Sequence, residues 1–317
     1  MLKKLRKIGI LLFSFSLLIA CSAQKNNDIH SYEYKKALLF KDDLNNEFEL
    51  YEKPQKVAVL FSSFADIWIT AGGTVDITVK ESVERGFANE QAVLVDEGAG
   101  KSINVEALIM ADPDLVLCSA DIEAQTDAAK LLNKSGIPAA CFRVESFGDY
   151  LNVLNIFAQI TGNDEAYKKY GLDVQCKIDE LLKKYSRTPD FKNILFIRAG
   201  SGSSSTKAKK AEDHFAAAML EELGTYNIAN EAPVLLDGLS IEEVIEVDPD
   251  FIFISTMGNT EAAIANMDVV LSEKTWQSLS AVKEGRYVYL PKDLFQFKPN
   301  ARWLEAYEYL IELIYDE

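Results

Sequence analysis

The stretch Ser102-Ile-Asn-Val-Glu-Ala-Leu-Ile-Met-Ala-Asp-Pro-Asp-Leu-Val-Leu-Cys-Ser119 has a counterpart in Gly238-Leu-Ser-Ile-Glu-Glu-Val-Ile-Glu-Val-Asp-Pro-Asp-Phe-Ile-Phe-Ile-Ser255. In each, a residue able to cap a helix, Asn104 or Ser240, opens an amphipathic run of about two turns. The run stops at Asp-Pro, because the residue before a proline is pushed out of the right-handed helical region. A continuous apolar segment follows, Leu115–Cys118 or Phe251–Ile254, without polar alternation. That composition suits a strand covered on both faces, as in a parallel sheet. Both copies place a glutamate in the first helical turn, Glu106 and Glu242. A repeat this widely spaced is too long for a solenoid unit and predicts two copies of one α/β lobe.

The 317 residues allow two such lobes, each with its own core. Ahead of them, residues 1–20 carry Lys3, Lys4, Arg6 and Lys7, then the uncharged run Ile8–Ile19, which has the shape of a signal peptide and is short for a bilayer span. Leu18-Ile-Ala-Cys21 resembles a bacterial lipobox, so Cys21 is the expected site of acylation and the first residue after cleavage. Residues 21–50 are polar and read as an anchor and tether. The leader holds four of the 33 basic residues and none of the 49 acidic ones, so the chain beyond it carries a net charge of −20. Such a balance excludes nucleic acid as an expected partner, because phosphates need a basic footprint. The remaining cysteines, Cys118, Cys141 and Cys176, are no disulfide framework. Cys118 and Cys141 end neighbouring predicted strands and either pair or stay as buried thiols.

Between the repeats and around them, strands and helices alternate. The first lobe, 51–163, opens with a buried strand at Val57–Phe61 and a helix bearing Phe64, Ile67 and Trp68 that ends at Gly72-Gly73. A glycine-bearing loop, Glu97–Ser102, leads into the first repeat. Residues 164–185 form one long charged helix spanning roughly 33 Å at 1.5 Å per residue, a stiff strut rather than a flexible hinge. The second lobe, 186–317, runs from a strand at Asn193–Arg198 to a helix at Pro299–Tyr315.

With these residues placed, the chain resembles the substrate-binding lipoproteins of bacterial iron-chelate and cobalamin ABC importers. The resemblance rests on the lipobox, the paired repeats, Gly-Lys-Ser-Ile-Asn-Val-Glu106, Leu223-Gly-Thr-Tyr-Asn-Ile-Ala229 and Leu279-Ser-Ala-Val-Lys-Glu-Gly-Arg-Tyr-Val-Tyr-Leu290. It implies two Rossmann-like α/β lobes with mostly parallel sheets, joined by one long helix, with the ligand in the cleft between them. It also implies docking on the permease through one exposed glutamate per lobe, Glu106 and Glu242, with Glu243 a neighbouring candidate. A carboxylate in a first helical turn also serves the helix dipole, and both roles can hold together.

Ligands of such folds sit at the carboxyl ends of strands. The loops there supply Ser62, Ser63, Phe64, Trp68 and Arg85 in the first lobe, and Arg198, Ser201, Ser203, Lys207, Phe295, Phe297, Lys298 and Arg302 in the second. Arginine forks and aromatic faces together favour a flat anionic ligand. Gly100-Lys-Ser102 lacks the glycine that a P-loop needs at position 95, which is Val95. The serine run at Gly200–Ser205 does not make a nucleophile elbow, and His30 and His214 are the only histidines. His214 reads as a helix-start residue, and no histidine is expected in a cleft loop. The expectation is therefore a membrane-anchored, extracytoplasmic, monomeric lipoprotein without cofactor or catalysis, which delivers an iron chelate, a siderophore first, to the transmembrane subunits of an ABC permease. Cobalamin or haem binding is the alternative, and an exported enzyme on the same scaffold a more distant one.

Overall fold

The computed structural model describes residues 33–96, 102–185 and 192–315. The leader, Cys21 with the start of the tether, and residues 97–101 of the glycine-bearing loop lie outside the described residues. The tether expected through residue 50 is corrected by an antiparallel hairpin, β1 (Glu33–Lys41) and β2 (Glu47–Glu52). Glu47-Phe-Glu-Leu alternates with period two, so Phe48 and Leu50 turn inward while Glu47 and Glu49 face water. Phe48 stacks on Phe40 at 5.1 Å, and Phe40 on Phe142 of the first lobe at 6.4 Å.

The first lobe contains β3 (Val57–Val59), α1 (Ser62–Thr70), β4 (Ile77–Thr78), α2 (Lys80–Glu84), β5 (Val93–Leu94), α3 (Val105–Met110), β6 (Leu115–Ser119), α4 (Glu123–Lys134), β7 (Ala139–Phe142) and α5 (Phe147–Thr161). Its sheet runs β5-β4-β3-β6-β7, parallel throughout. The connector is α6 (Asp164–Tyr167), a π-helical turn at Lys168–Leu172, and α7 (Asp173–Tyr185). At the π-turn, the Tyr170 carbonyl accepts the Tyr150 hydroxyl at 3.1 Å. Gly171 lets α5 come close there, since a Cβ would lie 2.7 Å from the Leu151 side chain.

The second lobe holds β8 (Asn193–Ala199), β9 (Lys207–Ala208), α8 (Phe215–Glu222), β10 (Tyr226–Asn227), α9 (Val234–Asp237), α10 (Ile241–Val247), β11 (Phe251–Thr256), α11 (Thr260–Ser272), α12 (Ser280–Lys283), β12 (Tyr287–Tyr289), α13 (Lys292–Phe295) and α14 (Trp303–Tyr315). Its sheet, β10-β8-β11-β12, is parallel, with β9 antiparallel to β8 as an addition.

The two repeats match in detail. Asp112 and Asp248 both end their helices in the left-handed region, at φ 50° and 48°. An aspartate tolerates that conformation, and the following proline disfavours the right-handed alternative. The second aspartate of each Asp-Pro-Asp then fixes the start of the neighbouring strand. Asp114 N–H donates to the Lys56 carbonyl at 2.8 Å, and its carboxylate accepts Lys56 N–H at 2.9 Å. Asp250 does the same at Asn193, with 2.8 and 2.9 Å. The caps differ: Asn104 accepts Ala107 N–H at 2.9 Å, whereas the Ser240 hydroxyl turns to Glu242 at 3.0 Å. Cys118 and Cys141 face each other in register on β6 and β7 as buried free thiols. The hydrogen bond between them, then burial, pushes the Cys118 thiol above its ordinary pKa.

One apolar cluster runs from Val57, Phe64 and Phe142 through α5 and Ile178 of α7 to Ile194, Phe196 and the inner face of α14. Separate clusters back the outer faces of the two sheets. The lobes therefore meet along a shared core, and the cleft opens above it.

Candidate functional site

The carboxyl ends of β6 and β7 face those of β8 and β11 across the lobes. One cavity of about 210 Å³ is walled by Arg198, His214, Phe215, Thr256, Glu145 and Lys298. A second, of about 190 Å³, lies against Phe61, Phe64, Ser119, Asp121, Glu145 and Lys298. Glu145 and Lys298 are common to both. They come from opposite lobes and pair at 2.7 Å. An open groove of about 640 Å³ lies elsewhere, between β2 and the turn from α4 to β7; its described lining includes no lysine or arginine.

Arg198 occupies the penultimate position of β8, where its Nε is buried without a hydrogen-bond partner among the described residues. A guanidinium N–H left so carries a desolvation cost that an anionic ligand oxygen would relieve. Lys298 lies over the Phe215 ring at 4.6 Å with its side chain 18 % exposed. Burial holds its pKa below the ordinary lysine value, against the opposite pull of Glu145. His214 caps α8, its Nδ1 accepting Ala216 N–H at 3.2 Å. Burial, then the nearby Lys298, Arg198 and Lys209, push its pKa down to about 3, so the ring is neutral. The expectation that no histidine reaches the cleft is corrected here. A cap at the start of α8 also faces the space above β8, a relation that only the tertiary fold creates.

The other sequence-flagged residues divide into four groups. Arg85 bridges the lobes: it donates to Ser62 Oγ at 2.8 Å and to Ser63 Oγ at 3.5 Å, and stacks on Phe297 at 3.9 Å. Ser62 in turn donates to Glu81. Beside this, Asn300, buried at φ 50°, donates to the Ser63 carbonyl at 2.9 Å and to Asp66 at 2.8 Å. Trp68 and Phe295 are corrections, because both point into the core. Trp68 donates to the Thr74 carbonyl at 2.8 Å and meets Phe157 edge-on; Phe295 packs on Tyr309. Ser201 and Ser203 are exposed and line neither cavity, Lys207 sits on β9 opposite Arg198, and Arg302 is held outside by Asp293 and Glu305. Glu106 and Glu242 are both exposed in first helical turns. Glu145, Asp121, Thr256 and Gln296, not named among the candidates, join the walls: Asp121 and Glu145 follow the ends of β6 and β7, Thr256 ends β11, and Gln296 follows α13 and accepts the Thr256 hydroxyl at 3.0 Å.

The chain matches the periplasmic binding protein family over residues 57–294. The chain belongs to the periplasmic binding protein family. Among solved structures this binding protein is similar to the iron uptake ABC transporter substrate-binding protein PiuA of Streptococcus pneumoniae, at 20 % identity, 88 % and 97 % coverage of the two chains and a TM-score of 0.68. It is also similar to Staphylococcus aureus SirA complexed with staphyloferrin B, at 15 %, 87 % and 98 %, and 0.65. The periplasmic heme-binding protein RhuT of Roseiflexus sp. RS-1 gives 16 %, 82 % and 98 %, and 0.67. At such identities the likeness carries the fold. No curated protein sequence matches the chain.

Proposed function

We propose that this protein is an extracytoplasmic solute-binding lipoprotein that captures an anionic iron chelate, a siderophore first, between its lobes and hands it to an ABC permease. One observation carries the reading: Arg198 and Lys298 both present cations to a cavity at the carboxyl ends of strands, and the Arg198 Nε lacks a partner among the described residues. The similar structures of an iron-uptake protein and of a staphyloferrin B complex support iron chelates as the ligand class. Cys21 would anchor the chain, and Glu106 with Glu242 would meet the permease. Arg85, Phe297 and Asn300 brace the lobes at one side of the cleft.

The test is fluorescence of the chain beginning after Cys21, with Trp303 as reporter because it packs on Phe147 and on Phe215 of the cavity wall. Ferric catecholate, ferric hydroxamate, haem and cobalamin are titrated in turn. Saturable quenching by a ferric catecholate, lost in Arg198→Ala, supports the reading; no response to either ferric chelate overturns it. Docking is tested separately: in Glu106→Ala/Glu242→Ala, uptake falls while affinity stays. Unchanged uptake removes that assignment.

Haem is the second reading, favoured by neutral His214 in the wall. With Nδ1 accepting Ala216 N–H, the neutral ring carries its proton on Nε2, which would meet an iron only on giving that proton up. A shifted haem absorption band that is lost in His214→Asn would select it.

A further inference from the structure

The Glu145–Lys298 pair stands where a ligand would have to pass. It forms the wall common to the two cavities, and neither cavity alone reaches the roughly 300 Å³ at which ligand pockets begin. Both ends are mounted on anchored backbone. Glu145 N–H donates to Asp149 Oδ2 at 3.0 Å, and Ser146 N–H to the same oxygen at 2.9 Å, within the capping box of α5. Lys298 lies two residues before Asn300, which is tied to Ser63 and Asp66 of the opposite lobe. The two side chains differ in what separation costs them. Lys298 is largely withdrawn from water, so its ammonium needs a counter-charge. The Glu145 side chain is 51 % exposed and can return to water at little cost.

We infer that Glu145 is a stand-in for the ligand's own anionic group: it closes the empty cleft by pairing with Lys298 and keeps that cation for a ligand whose anionic group can replace it. This inference rests on the proposed chelate-binding function. A ligand that spans both cavities separates the pair. An anionic oxygen then takes Lys298, with Arg198 beside it, and Glu145 swings to solvent. A neutral ligand of the same size leaves a buried ammonium unpaired, which is the costly way to break an ion pair. Asp121 is no substitute on the first lobe's side, because it is held by Arg143 at 2.5 Å.

The experiment compares a trianionic ferric tricatecholate with a neutral ferric trihydroxamate on the wild type, Glu145→Gln and Lys298→Met. Glu145→Gln is expected to tighten both chelates by about tenfold, since either must part the pair in the wild type, and Lys298→Met to weaken the tricatecholate relative to the trihydroxamate by about tenfold or more. Binding of either chelate that weakens or stays unchanged in Glu145→Gln, or an unchanged preference for the tricatecholate in Lys298→Met, overturns the inference. A second arm uses the ligand-free protein: amide hydrogen exchange over Phe215–Glu222 and residues 119–122 should quicken in both variants, and unchanged exchange overturns the closure. If neither chelate binds the wild type, the proposed function and the specificity role fall together, while the exchange arm still decides whether the pair closes the cleft.

Discussion

Trp68 lies against Gly73 so closely that a Cβ there would sit 2.2 Å from the indole, and its N–H is spent on the Thr74 carbonyl. An aromatic on the helix after the first strand is legible as important. Which way it points is decided by packing against Phe157, which no local pattern reveals. Trp68→Phe should therefore lower stability by about 1–2 kcal/mol, from a lost hydrogen bond and a small void, and leave ligand affinity unchanged; urea unfolding beside a binding titration checks this. His214 is the reverse case. Its local role as a helix cap is readable, but its place in the cavity wall is not, because β8 and the loop before Asn300 bring the surrounding cations from far along the chain. With the folded-state pKa at about 3 and an unfolded value near the ordinary 6.5, the unfolded chain binds the extra proton between those limits. The stability due to neutral His214 is thus complete above about pH 6.5 and is lost as pH falls toward 3, by up to about 1.4 kcal/mol per unit. His214→Asn keeps a capping side chain and should flatten that slope when urea midpoints are compared at pH 7 and pH 4.5.

At the scale of elements, the repeats were legible because helix period, Asp-Pro and an unbroken apolar run occur together twice. The hairpin, by contrast, was missed: Glu47-Phe-Glu-Leu alternates with period two, but over four residues in a polar, charged stretch it reads as tether. Its turn has a structural task. Asp42 is buried and accepts from Leu44 N–H, Asn46 N–H and, across the lobe, Cys141 N–H at 3.0 Å; Asp43 N–H donates to the Cys141 carbonyl at 2.9 Å. The turn thereby covers the otherwise open edge of β7. Asp42→Ala should cost about 3 kcal/mol, since it leaves a buried edge amide without an acceptor, and amide exchange at Cys141 should accelerate more than at Leu117 on the inner strand β6. The π-turn of the connector had no readable signal; it holds Gly171 where Leu151 of α5 comes close, a contact between segments.

For the whole molecule, a chain with a formal net charge of −16, and of −20 beyond its leader, repels itself, and ions screen that repulsion. The melting temperature should rise by a few degrees between 10 and 300 mM sodium chloride; a fall would mean that attractive ion pairs such as Lys298–Glu145 dominate. Charge balance excluded nucleic acid as an expected partner from the sequence alone, but it could not locate two cations inside an acidic shell. The core shared by Val57, Phe142, Ile178, Phe196 and α14 has a practical consequence for anyone cutting this protein. Neither half is a portable part. Expressed by itself, the first lobe would present the bare ring of Phe147 to water, and the second that of Trp303, which covers it in the whole protein. Each fragment would cluster with its own kind unless the missing half were supplied in the same cell to cover it.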